Sequence, residues 1–337
     1  MSCIVRVVPG MLRYGAAHYI TDQMPTPGYC ERQISNDCER SGISDEEFAQ
    51  SKIVLSFLDE GFGPTEIQPL TDILLQTHPG RFMVLFNAHV DVDALPYHAR
   101  CFTAWLINRS EYGLGQLDYN FNIQLDRKFL CLLRRPTLNR ARLARFFLDH
   151  IGLDTARLSF GSGAQGGLDQ YQDVVGCNLP LLVDGVLTDR VQEFDISNPE
   201  FHSCLFNIAA ETSSQTEANW RSVFLTEKTW KAVMQRQIPI WFGVPGLVNH
   251  VRSLGFDVFD DILDHRYDAV IDETERHQSV FGLISQLNNR YSLEDCQALR
   301  QHLRPRLEAN FEQLLEYFRT NRRQVFNTIL EFDSRTA

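Results

Sequence analysis

The stretch Phe224-Leu-Thr-Glu-Lys-Thr-Trp230 sets Thr226, Glu227 and Lys228 side by side where a helix is about to start. Upstream, an apolar run ends in an acid, Cys204-Leu-Phe-Asn-Ile-Ala-Ala-Glu211. Downstream, Ile238-Pro-Ile-Trp-Phe-Gly-Val-Pro-Gly246 is a short apolar run closed by glycine and proline. Strand, polar loop, helix and strand in that order is the grammar of an α/β protein with a parallel sheet. Such sheets bind ligands outside the carboxyl ends of their strands, where the following helices begin. A helix start offers N–H groups and a partial positive charge, both suited to a phosphate. Thr226 is a good N-cap. Glu227 is able to accept two hydrogen bonds from ribose hydroxyls, and Lys228 to neutralise a phosphate. Taken alone, the same letters also suit an ordinary capped helix with two solvated charges.

A second block adds cations. Arg127, Lys128, Arg134, Arg135, Arg140, Arg142 and Arg145 fall close together with no acid among them, and Asp126 lies just outside. A basic surface loop and helix face would look like this. So would a diphosphate site, with or without a nucleic-acid groove beside it. One or two arginines at a donor diphosphate is the economical reading.

These segments resemble the donor-binding region of fucosyltransferase-like glycosyltransferases and their phage and bacterial relatives. The residues that carry the likeness are Phe206, Glu211, Ser213, Phe224, Leu225, Thr226, Glu227, Lys228, Pro239, Gly243, Pro245 and Gly246. It continues through Leu254-Gly-Phe-Asp-Val-Phe259 and Asp264-His-Arg-Tyr-Asp268. Lys128-Phe-Leu-Cys-Leu-Leu-Arg-Arg135 with Arg140-Ala-Arg142 resembles the strand, loop and Arg-bearing helix that opens the donor domain of that group. The likeness spans roughly residues 126–275. It implies two Rossmann-like domains facing a cleft (the GT-B type). It also implies a UDP- or GDP-sugar donor held by Arg140, Arg142, Glu211, Ser213, Thr226, Glu227 and Lys228.

Composition sets outer limits. The chain has 337 residues and a hydrophobic share of 44%, enough for substantial cores and more than one domain. No apolar run approaches the ~20 residues that span a bilayer. Met1-Ser-Cys-Ile-Val-Arg-Val-Val-Pro9 lacks the pattern of a signal peptide and reads as a first strand. The eight cysteines are scattered with no C-x-x-C pair, so free thiols in a reducing cytoplasm (the host's, if the protein is viral) are expected rather than a disulfide or zinc framework. The net charge of −11 works against simple polyanion binding, which rests on Lys and Arg.

Along the chain, residues 1–125 form the expected N-terminal, acceptor-side domain. Residues 11–44 read as an elaborated loop region that shapes an acceptor pocket. Strands are expected at 52–58, 81–86 and 102–107, with a helix over 64–77. Residues 126–290 form the donor domain. Its expected strands are 129–133, 204–209, 239–242 and Val258-Phe259, with a helix over 139–151 ended by Gly152. Residues 158–167 read as a Gly-rich turn region, without the strand-to-helix setting of a dinucleotide fingerprint. Residues 291–337 read as helical, with an apolar spacing that allows a return to the first domain.

Asn87-Ala-His-Val-Asp-Val-Asp93 follows directly on an expected strand. Asp91 and Asp93 have the Asp-x-Asp spacing by which single-domain glycosyltransferases hold a divalent ion. Alternatively the loop lies on the acceptor side, with Asp91 as general base and His89 as the next candidate. In the family that acid is Glu, at a different spacing from the preceding Asn. An Asp-rich loop with Asx turns is the plain alternative.

The chain therefore reads as a nucleotide-sugar-dependent glycosyltransferase that needs no essential divalent metal. The acceptor hydroxyl would belong to a glycan or to a hydroxylated base in viral DNA. A non-catalytic nucleotide- or glycan-binding protein would keep the same pocket without the base, and donor hydrolysis separates the two.

Overall fold

A computed structural model describes residues 5–9, 52–57, 82–86, 99–101, 119–161, 167–181, 202–211, 223 and 225–334. The chain divides into two units. One comprises Met1–Asn108, Ala218–Phe224 and Phe318–Ala337, the other Arg109–Glu217 and Leu225–Tyr317.

In the first unit, β1 (Val5–Pro9), β2 (Lys52–Phe57), β3 (Phe82–Phe86) and β4 (Ala99–Cys101) form a parallel sheet in chain order. Val7 lies opposite Val54, and Val54 opposite Met83. β-branched and aromatic runs of this kind suit strands in a parallel sheet. The strands expected at the N-terminus, at 52–58 and at 81–86 are therefore present. The expected helix over 64–77, the strand over 102–107, the loop region 11–44 and the Asn87–Asp93 segment lie outside the described residues.

The second unit opens with β5 (Arg127–Leu133), α1 (Leu138–Phe146) and β6 (Ala156–Phe160). A short α2 (Gln172–Val175) and β7 (Cys204–Ala210) follow. Next come α3 (Glu227–Met234), β8 (Ile238–Phe242) and α4 (Leu247–Ser253). The unit continues into α5 (Glu273–Arg290), α6 (Leu293–His302) and the part of α7 (Arg304–Ser334) up to Tyr317, the rest of α7 being counted with the first unit. Its sheet is parallel in the order β6-β5-β7-β8. From β5 the chain steps outward to β6, then returns past β5 to place β7 and β8 on the other side. The order thus reverses between β5 and β7, which is the topological switch point of an open α/β sheet.

Every residue of β7 and of β8 is buried. Phe129 stacks on Phe206 at 5.4 Å between ring centroids and meets Phe147 edge-on at 6.1 Å. Burying each such ring contributes about 2–3 kcal/mol. Trp230 of the opening stretch is fully buried, set against Phe256 and Tyr317.

Three expectations need correction. Residues 158–160, expected at the front of a turn region, instead complete the strand Ala156–Phe160. Ala156, Leu158 and Phe160 are buried and alternate with half-buried Arg157 and Ser159, a period-two pattern masked by the glycines that follow. Gly161, at φ +77, makes the turn. Val258 and Phe259 are buried coil rather than strand. Asp257 Oδ1 accepts from the Phe259 amide at 2.8 Å, and Phe259 stands at φ +60, which ends any extended run. Finally, the helix over 139–151 is α-helical only to Phe146. It widens into a π turn over Phe147–Ile151 before Gly152 ends it at φ +82. Among the described residues, no helix is long and apolar enough to cross a membrane.

Candidate functional site

The carboxyl ends of β5 and β7 carry the residues singled out from sequence. After β5, Thr137 caps α1 by accepting from the Arg140 amide at 3.4 Å. Arg140 is 1% exposed. Its guanidinium donates to Arg135 O at 3.0 Å and to Ala210 O, the last residue of β7. Expected as a diphosphate contact, it instead spans the two strand ends at the switch point. A buried cation needs such partners, and backbone carbonyls supply them. Arg142, two residues on and therefore on the opposite side of the helix, is exposed.

Glu211 immediately follows β7 and is 4% exposed. Its amide donates to Phe242 O at 2.9 Å, prolonging the pairing of β7 with β8. Its Oε1 accepts from the Thr226 amide at 3.2 Å and from the Thr229 hydroxyl at 2.8 Å. Its Oε2 accepts from the Thr226 hydroxyl at 2.5 Å. Glu211 too was expected at the donor, but here its carboxylate grips the start of α3. Thr226 is the N-cap that the sequence implies: its Oγ1 accepts from the Lys228 amide at 3.3 Å. The same oxygen accepts from the Lys228 ammonium at 3.5 Å. Glu227 is the first residue of α3.

The structure thus brings Arg140, Glu211, Thr226 and Lys228 to one end of one sheet. Arg142 shares the helix of Arg140. Ser213, Asp91 and His89 lie outside the described residues, as does the side chain of Glu227.

The neighbouring helix starts differ. At α4, Asp268 Oδ1 accepts from the Val248 amide at 3.0 Å, and Oδ2 from the Asn249 amide at 2.9 Å. A carboxylate already sits where an anionic ligand would bind. At α5, Asp272 caps by accepting from the Glu275 amide at 2.8 Å. Arg276, within the first turns of α5, reaches back to Gly243 O beyond β8 at 3.0 Å.

Sequence reading missed several supporting residues. Thr229, fully buried, completes the Glu211 clamp; its spacing of three from Thr226 was the available signal. His277 is buried and stacks on Phe242 at 4.3 Å, and neither ring nitrogen has a hydrogen-bond partner among the described residues. Burial pushes its imidazole down to about 4; Glu273 opposes that shift, while Arg276 and Arg142 add to it. Nothing in the local sequence marks it. Gly243 has a packing reason: an added Cβ would stand 2.8 Å from Leu247 Cδ1 and 3.5 Å from Glu211 Cβ.

No family model, curated protein or solved structure matches this chain.

Proposed function

We propose that the chain is a two-domain glycosyltransferase whose second unit holds the diphosphate of a nucleotide-sugar at the carboxyl ends of β5 and β7. The observation that carries this reading is the Glu211–Thr226–Lys228 chain of hydrogen bonds, which holds a cation at a helix start beside the switch point. That is where open α/β sheets bind phosphates. Lys228 neutralises the diphosphate, Glu227 takes the ribose hydroxyls, and exposed Arg142 supplies a second cation. Arg140 contributes from below, as a fixed positive charge between the strand ends. Ser213 belongs to the same donor pocket.

In this reading both units are Rossmann-like. The bond from the anomeric carbon to the diphosphate oxygen breaks, and an acceptor hydroxyl oxygen takes its place on that carbon. Asp91, or His89 in its stead, removes the hydroxyl proton. Lys228 and Arg142 take up the charge that builds on the leaving diphosphate, so no divalent metal is essential. The acceptor is a glycan or a hydroxylated DNA base.

Calorimetric titration with GDP, UDP, ADP and CMP tests this. One nucleotide should bind, and Lys228→Ala should weaken it about 10- to 100-fold, the scale of one charge-assisted hydrogen bond. The far-UV circular dichroism should not change. Unaltered affinity in that variant rejects the assignment.

A further inference from the structure

The carboxylate of Glu211 is an acceptor only, and that has a directional effect on Thr226. A threonine hydroxyl has one proton and two lone pairs. Because Glu211 Oε2 lies 2.5 Å from Thr226 Oγ1, the single proton points at the acid. Both lone pairs then face the Lys228 amide at 3.3 Å and the Lys228 ammonium at 3.5 Å. Glu211 Oε1 fixes the same turn through the Thr226 amide and the Thr229 hydroxyl. The acid itself is anchored from behind, since its amide extends the β7–β8 ladder.

Resting on the nucleotide-sugar reading above, we infer that Glu211 is a positioning residue. It holds the Thr226 hydroxyl as an obligate acceptor, and so places the Lys228 ammonium for a nucleoside diphosphate without touching that ligand. Glutamine at this position changes the sense of the contact. Its amide NH₂ would donate to Thr226 Oγ1, and the hydroxyl proton would then turn toward the Lys228 ammonium, releasing it. Valine at 229 removes one of the grips on Oε1 and leaves the Thr226 contact in place. The effect of Glu211 on binding therefore runs through Lys228.

A double-mutant cycle reads this directly, because residues that act through one another are non-additive. Titrate GDP and UDP into wild type, Glu211→Gln, Lys228→Ala and the double variant. Glu211→Gln should weaken the tighter nucleotide about 5- to 20-fold in the wild-type background, and by less than twofold once Lys228 is alanine. Thr226→Ser, which keeps the hydroxyl, should retain affinity, whereas Thr226→Val should lose it. Should Glu211→Gln fold poorly, Thr229→Val carries the same cycle with a smaller expected loss of about 2- to 5-fold. Equal losses from Glu211→Gln in both backgrounds would mean a general structural role and overturn the inference. If ADP or CMP proves the tighter nucleotide, the same cycle is run with it; Lys228→Ala without effect, or a wild-type chain that binds none of the four, overturns the nucleotide reading instead.

Discussion

Asn139 on α1 donates from Nδ2 to Oε1 of Glu273 on α5 at 2.8 Å. Two turns further along each helix, Phe146 stacks on Phe281 at 4.5 Å with the rings nearly parallel. The two helices therefore run side by side in the same direction, with both N-termini at the end of the sheet that carries the site. Asn139→Ala should cost about 1.5–3 kcal/mol, the usual worth of a hydrogen bond to a carboxylate. Urea denaturation should show a lower midpoint at unchanged slope.

Arg140 is the more sensitive position. Its fork reaches carbonyls on two different strand ends, Arg135 O and Ala210 O. A lysine ammonium cannot reproduce that planar fork. Arg140→Lys should lose about 1–3 kcal/mol, and Arg140→Leu about 2–4 kcal/mol because buried carbonyls are left unpaired. Equal stability of Arg140→Lys and wild type in the same denaturation assay would show that the bridge contributes nothing.

His277 makes stability depend on pH. Its folded imidazole titrates at about 4, below the ordinary value near 6.5. Below pH 6.5 the unfolded chain takes up a proton that the folded chain refuses, so stability falls as the pH drops toward 4. Asp272, Glu273 and Arg276 on α5 and Arg142 on α1 complete the charged surroundings. His277→Phe keeps a ring against Phe242 and removes the titration. Between pH 7 and pH 5 it should gain on wild type by on the order of 1–2 kcal/mol. A pH-independent difference between the two proteins would remove His277 as the cause.

The proposed chemistry has its own check in Asp91. Asp91→Asn should lower the transfer rate by a factor on the order of 10² to 10⁴, the loss that accompanies removal of a general base, while nucleotide affinity stays at the wild-type level. Transfer should also survive EDTA. A normal rate in Asp91→Asn turns attention to His89. Complete loss in EDTA with rescue by Mn²⁺ makes Asp91 and Asp93 metal ligands instead.

Much of the second unit was legible because its signals are local. The apolar runs ending at Leu133, Ala210 and Phe242 announce strands, and Thr226 and Gly152 announce helix ends. What escaped reading depends on contacts across the fold. Ala156–Phe160 is a strand because β5 accepts it, and the glycines behind it obscured its alternation. Val258 and Phe259 look like strand residues, but Asp257 turns the backbone there. At the site, the sequence announces which residues gather but not which way they face. Arg140 and Glu211 are polar residues beside an expected pocket. Only their long-range partners, Ala210 and Thr226, show that their side chains turn inward onto β7 and the start of α3.

The strand order also governs how the chain is made. Phe129 pairs with Ala156 on one side and with Phe206 on the other. Synthesis delivers the first partner early and the second only some fifty residues later, on the order of 2–10 s at cellular rates of elongation. For that interval one edge of β5 stands open on the ribosome, a template for wrong pairing. Arg127 and Lys128 at its start and Arg134 and Arg135 beyond its end surround the apolar centre with charge, the arrangement that discourages such pairing. β7 closes the edge, and Glu211 emerges directly behind it. The nascent chain therefore closes the open edge of β5 with the same segment that delivers Glu211 to the candidate site.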